Sequence, residues 1–105
     1  MENEFKENVI INLTLEFALK NIDFCDDLDG IKKFALSNQL FKSGTSLGAN
    51  AREAQNSESK ADFIHKFKIS AKETEETEHW LLLCKHSNKL SDSSNLLSEL
   101  EPIKK

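Results

Sequence analysis

The stretch LSNQLFKSGTSLGANAREA, residues 36–54, decides the fold. Leu36, Leu40, Ser43, Leu47, Asn50 and Ala54 recur every three or four residues, the seam of a packed bundle helix. Phe34, Ser37, Phe41, Gly44, Gly48 and Ala51 make a second seam, rotated roughly a third of a turn away at about 100° per residue. A helix with two such seams has two sets of neighbours. Gly44 and Gly48 each cost about 1 kcal/mol against alanine inside a helix. Two such costs on one face point to close approach by another backbone. The competing reading, a loop breaking the helix near residues 43–46, is opposed by the seams keeping their phase through both glycines.

Working outward, 105 residues set the scale of a single domain. Three Gly, one Pro and no Tyr, beside many Leu, Lys, Glu and Ala, predict an all-α protein. No run of about 18 apolar residues exists to span a membrane. The N-terminal MENEFKEN lacks the basic region of a signal peptide, so a cytoplasmic location is the default expectation. Cys25 and Cys84 belong to no CxxC pair. A disulfide would need their Cα atoms within about 7 Å. In a reducing compartment they read as small buried hydrophobes or half-exposed thiols.

Four helices are predicted, over about residues 4–25, 31–55, 59–87 and 91–103. In the first, Ile10, Leu13, Phe17 and Phe24 make one stripe and Ile11, Leu15, Ala18, Ile22 and Cys25 another. Its exit turn is placed at residues 24–30, with Gly30 supplying the permissive backbone and Asp27 or Asp29 capping the next helix. Ser57 or Ser59 is the expected cap of the third helix, and Ser91 or Asp92 of the fourth. The third helix offers Ile64, Phe67, Ala71, Thr74, Glu78 and Leu81 as one seam. Ile69, Glu73, Glu76, Trp80 and Leu83 form its second. In the fourth, Leu96, Leu97, Leu100 and Ile103 are the packing residues, and Pro102 sits where it would kink or end the helix. Short connections predict an antiparallel, up-down-up-down four-helix bundle. Apolar arcs wider than one core can absorb predict a homo-oligomer, with the second seam of residues 34–51 as a subunit contact.

Residues able to carry chemistry are few. Glu73 and Glu76, at i and i+3 beside Trp80, are either an acid/base pair or a rim contact salt-bridged to Arg52 or a lysine across an interface. With no nucleophile or phosphate loop nearby, the contact reading is preferred. Glu76-Thr-Glu-His79 and Asp62-Phe-Ile-His65 resemble the Glu-x-x-His element of di-iron bundles. That site needs the element from two helices, and here both lie on one, so no metal or other cofactor is expected. Ser43, Thr45 and Ser46 lack any nucleophile-elbow context; on a packed helix such hydroxyls bond the carbonyl one turn back. Asn50, on an apolar seam, is expected to fix register or bond a neighbouring helix, with Arg52 and Glu53 extending the network.

Charge is uneven although the net is −4. Residues 31–72 carry eight basic and three acidic side chains, whereas acidic ones dominate on both sides. Lys32, Lys33, Lys42, Arg52, Lys60, Lys66, Lys68 and Lys72 are the candidates for contacting phosphates. They share no clean helical stripe, so a solvated surface competes with this reading. Repetition in an oligomer would strengthen a weak patch.

Two segments carry a family resemblance. Gln39-Leu40, Ser43-Gly-Thr-Ser46 and Gly48-Ala-Asn-Ala-Arg-Glu-Ala54 form the first. Asp62-Phe-Ile64, Ile69, Ala71-Lys-Glu73, Glu76-Thr77 and Trp80-Leu81 form the second. In this order the chain resembles the small four-helix-bundle proteins encoded in 23S ribosomal RNA intervening sequences. The resemblance implies a ring-shaped homopentamer. It also brings in a related branch, the accessory variability determinant of diversity-generating retroelements, whose basic pentamer binds nucleic acid and a reverse transcriptase. This chain is acidic, which makes a reverse transcriptase the less expected partner. The shared residues are mainly packing residues, so no binding residue carries over by motif. Phe34, Phe41, Gly44, Gly48, Asn50, Glu53, Glu73, Glu76 and Trp80 are the candidates for structural or subunit contacts. The expected function is that of a non-enzymatic oligomer, an accessory or scaffold with ribosomal or other structured RNA as candidate partner and no membrane association. The alternative is a protein–protein interaction module without nucleic acid.

Overall fold

The computed structural model describes residues 2–87, 89, 90 and 92–104, with side chains from Val9 onward. The described residues form four helices and no strand: α1 (Glu2–Gly30), α2 (Phe34–Gln55), α3 (Lys60–His86) and α4 (Ser94–Lys104). α2 packs against α1 and α3, and α4 packs against the same two, while the diagonal pairs stay apart. The body measures 45 × 21 × 19 Å. α1 alone accounts for the long dimension, since 29 residues at about 1.5 Å each span roughly 43 Å.

α1 runs five residues past its expected end. Leu28 explains this: it is fully buried one turn beyond Phe24 and Cys25 and extends their core stripe, while Asp26, Asp27 and Asp29 take the wet face. The turn therefore falls at residues 31–33, not 24–30. Lys33 N–H donates to Leu28 O (2.9 Å) and Lys32 N–H to Asp29 O (2.9 Å), the paired bonds of a Schellman cap. The left-handed residue of that cap is Lys32, with φ 63°; no glycine has positive φ. Neither Asp27 nor Asp29 caps α2, whose N-cap position is Lys33, without a side-chain bond. Ser59 caps α3 by accepting from Asp62 N–H at 3.0 Å. At the start of α4, Asp92 accepts from both Ser94 N–H and Ser94 Oγ. Ser91 lies outside the described residues, and α4 continues through Pro102 to Lys104.

α2 is unbroken through both glycines. Its first seam faces the core, with Leu40, Ser43, Leu47 and Ala54 buried and Leu36 packed against them. Its second seam divides, which corrects the expectation that all of it meets another subunit. Ser37, Gly44 and Ala51 are buried inside the chain. A Cβ on Gly44 would lie 2.8 Å from Asn21 Cγ, and one on Gly48 3.0 Å from Thr14 Cβ. Only Phe34 and Phe41, 55% and 46% exposed, remain on the outside.

α3 departs most from its predicted pattern. Its buried residues are Ser70, Thr74, Thr77, Leu81 and Cys84, whereas Ile64 and Phe67 of the expected seam are about two-fifths exposed at 42% and 40%. The core-facing hydroxyls are satisfied locally: Thr74 donates to Ser70 O (2.9 Å) and Thr77 to Glu73 O (2.8 Å). Ser70 instead crosses to Leu47 O of α2 at 2.6 Å. Small hydroxylated residues let α2 and α3 approach closely without leaving polar groups unpaired.

The core is Phe17, Phe24, Cys25, Leu28, Leu40, Leu47, Leu81, Cys84, Leu96 and Leu100, flanked by Leu36, Trp80, Leu90, Leu97 and Ile103. Cross-helix contacts keep a steady register. Thr14 meets Gly48, Asn21 bonds Leu40 and Cys25 bonds Ser37. Farther along, Glu53 pairs with Lys66, Leu47 with Ser70, and Leu81 with Ser93.

Candidate functional site

The basic residues of the middle segment do not converge. Lys32 and Lys33 occupy the α1–α2 turn, Lys60 opens α3 at the other end of α2, and Lys42, Lys68 and Lys72 are exposed between them. Arg52 is exposed in the last turn of α2. Lys66 is half-buried and bonded to Glu53 at 3.1 Å, which removes it from the cations free to meet a phosphate. The others make no ion pair with any described residue. Such isolated cations contribute to a diffuse field more than to a built phosphate site.

Glu73, Glu76 and Trp80 lie half-buried along one side of α3. Burial pushes the Glu73 carboxyl above its ordinary range, the Glu76 charge pushes it further, and Lys72 pulls it partly back. Neither carboxylate pairs with a cation among the described residues. The Trp80 indole N–H is buried without a hydrogen-bond partner, and its ring meets His79 edge-on with centroids 5.1 Å apart. Among the described residues, no nucleophile is positioned beside this strip.

Asn50 does not bridge helices. Its Nδ2 donates to Ser46 O of its own helix at 2.9 Å, and Arg52 and Glu53 form no network with it. The amide that does cross is Asn21, fully buried in α1, whose Nδ2 donates to Leu40 O of α2 at 3.1 Å over the bare backbone of Gly44. Asn21 escaped the sequence reading, although its place one turn from Phe17 and Phe24 on the apolar stripe was a visible signal. Ser37 was likewise read only as seam; its Oγ donates to Cys25 O at 3.2 Å.

The Thr45 and Ser43 hydroxyls of α2 are spent on backbone. Thr45 donates to Phe41 O at 2.8 Å and Ser43 to Leu40 O at 3.5 Å. His65, His79 and His86 are all exposed on α3, and no described group of three or more His, Cys, Asp or Glu gathers to hold a metal. Cys25 and Cys84 are free and buried. Burial holds the Cys25 thiol up at about 11, so near neutral pH it is a protonated, unreactive thiol packed beside Ser37.

The surface carries hollows at several places. One of about 340 Å³ lies between α3 and the end of α4, lined by Phe67, Ser70, Ala71, Thr74, Glu75, Ile103 and Lys104. A dimple of about 120 Å³ on the α1–α2 flank is ringed by Ile11, Leu15, Ala18, Thr45, Ala49 and Arg52, among others. Another, about 330 Å³, joins Lys20, Asp23, Phe24 and Asp27 of α1 to Asp92, Asn95 and Leu96. No helix among the described residues is long and apolar enough to cross a membrane.

Fold and surface together define a small all-α protein of four helices, with no group of three or more His, Cys, Asp or Glu among the described residues placed to hold a metal. The chain belongs to the 23S rRNA-intervening sequence protein family, whose model matches residues 6–105. A solved structure of a protein of unknown function from the S23 ribosomal protein family of Bacteroides thetaiotaomicron is 37% identical, with TM-score 0.87, covering 94% of this chain and 91% of that one. No curated protein matches the chain.

Proposed function

We propose that this protein is a non-enzymatic, cytoplasmic homo-oligomer built from a single antiparallel four-helix bundle, serving as an RNA-associated accessory or scaffold. The falling register supports the antiparallel arrangement: residue numbers rise along one helix as they fall along its neighbour at the α1–α2, α2–α3 and α3–α4 contacts.

The observation that carries the oligomeric reading is the distribution of exposed apolar side chains. Leu15, Leu19, Phe34 and Phe41 crowd the α1–α2 flank, at 46–58% exposure. Ile64, Phe67, Leu82 and Leu83 expose a second set along α3. Monomers seldom leave such patches wet. A ring of five is the number that the family resemblance implies. Light scattering of the purified chain should give a multiple of 11.9 kDa, fivefold for that ring. A monomer at micromolar concentration refutes the oligomeric reading.

RNA association is supported by the family's tie to 23S rRNA and by exposed cations without an ion-pair partner. Binding to a ribosomal RNA fragment should weaken steeply as salt rises, as phosphate contacts require. Absence of binding at low salt refutes it and favours the second reading, a protein–protein module without nucleic acid. The net charge of −4 and the scatter of the lysines favour that second reading.

A further inference from the structure

We propose that an unpaired stretch of RNA docks on the end of the bundle that carries the α1–α2 turn, with phosphates on Lys32, Lys33, Lys85 and Lys89 and one base against Phe34. This rests on the RNA reading and the antiparallel arrangement above, and gives that reading a place on the molecule. Along the chain these lysines fall into two distant groups, and the fold joins them. α2 and α3 pass each other with falling register at Glu53–Lys66 and Leu47–Ser70. Continuing that register brings the Lys33 end of α2 level with the last turn of α3, which holds Lys85 and His86. Asp27, shortly before the α1–α2 turn, and Asp92, shortly after Lys89, line one hollow, which places both connections at the same end.

The cations at this end are uncommitted. Lys32, Lys33, Lys85 and Lys89 are all exposed, and none forms an ion pair with a described residue. Acidic charge here belongs to α1 and the approach to α4: Asp29 is exposed on the first, and Asp23, Asp27 and Asp92 border the hollow between the two. Asp92 is also spent on capping α4 through Ser94. Basic charge belongs to the α1–α2 turn and the end of α3. Phe34 follows Lys33 directly and is 55% exposed, the most open aromatic ring among the described residues. Cations that neutralise a backbone beside an aromatic platform hold a single strand without reading its sequence. A flat anionic membrane would meet the acidic half of this end as well, whereas a strand can follow the basic half alone.

The test follows fluorescence anisotropy of a labelled, unstructured RNA of about 16 nucleotides across a salt series. The proteins are wild type, K32Q/K33Q, K85Q/K89Q, F34A and the control K68Q/K72Q. Each end pair should weaken binding about tenfold or more at low salt and flatten the slope of log affinity against log salt by about 1.4, the share of two single-strand phosphates. F34A should weaken binding about fivefold or more with the slope kept, and K68Q/K72Q should change both far less than either end pair does. Light scattering and circular dichroism melts should show wild-type mass and folding throughout, since the substituted side chains are exposed. Wild-type protein that ignores RNA at low salt defeats the RNA reading itself, and its flotation with phosphatidylserine vesicles would assign this end to a lipid surface. Wild-type binding that survives both end pairs, or falls as far in K68Q/K72Q, overturns this inference alone.

Discussion

Replacing Gly44 by alanine tests the close approach of α1 to α2. On helix propensity alone the change should stabilise, by about 1 kcal/mol. Space decides otherwise, because the new methyl would sit 2.8 Å from Asn21 Cγ, with Asn21 fully buried and bonded to Leu40 O. Displacing that amide leaves buried polar atoms unpaired at about 1–3 kcal/mol, and the overpacking costs about 1–3 kcal/mol more. The net expectation is a loss of about 3 kcal/mol, or a fall in Tm of about 12–24 °C for a domain near this size. Gly30→Ala supplies the control: nothing lies within 4 Å of its added Cβ, so it should gain about 0.5–1 kcal/mol. An Asn21→Ala/Gly44→Ala double variant should lose less than the two single changes summed, because one removes the obstacle to the other. Thermal or urea unfolding followed by circular dichroism reads all three. A stabilised Gly44→Ala protein would refute the close-approach argument.

Three further outcomes follow from particular residues. Lys32→Gly places glycine at the left-handed cap position and should raise stability by about 1 kcal/mol, read as a higher Tm; an unchanged or lower Tm would contradict the cap geometry. The Glu73 carboxyl is raised in the folded chain, so the folded state holds its proton more tightly than the unfolded state does. Its contribution to stability must decline as pH rises above the ordinary value of 4.5. Glu73→Gln should flatten the Tm–pH curve in that window, and an identical curve would remove the effect. Finally, the buried thiols of Cys25 and Cys84 should resist iodoacetamide at pH 8 in the native protein and react on denaturation; rapid native labelling would contradict their burial.

What the sequence disclosed follows from how apolar periodicity works. The four helices, the core seam of Leu40 and Leu47 and the structural use of Gly44 and Gly48 were legible because large side chains and helix-breaking residues give strong signals at fixed spacing. The core face of α3 was not, because Ser70, Thr74 and Thr77 are polar by composition yet apolar in effect once their hydroxyls bond carbonyls. The α1–α2 turn was misplaced for a related reason. Gly30 advertises a left-handed residue, while the chain uses Lys32 because burial of Leu28 carries the helix onward. Asn50 and Asn21 show the same limit from the other side: both fall on apolar stripes, and only the neighbouring backbone decides which one crosses. Of the candidate site, the sequence named the cations but could not show that they stay scattered, since that depends on where helix ends fall in space.

The brevity of α4 governs how the molecule opens. At 11 residues it is too short to hold its helix alone in water, so its order depends on docking against α1 and α3. One of its anchors, the Lys20–Glu99 pair, joins positions 79 apart in sequence and so closes a long loop, whereas Lys104–Glu78, 26 apart, ties it to α3. α4 is therefore the helix expected to open first, with faster native-state amide exchange there than in α1–α3 as the check. Its departure would uncover Leu81 and Cys84 while leaving the Asn21–Gly44 and Ser70–Leu47 contacts of the other three helices intact.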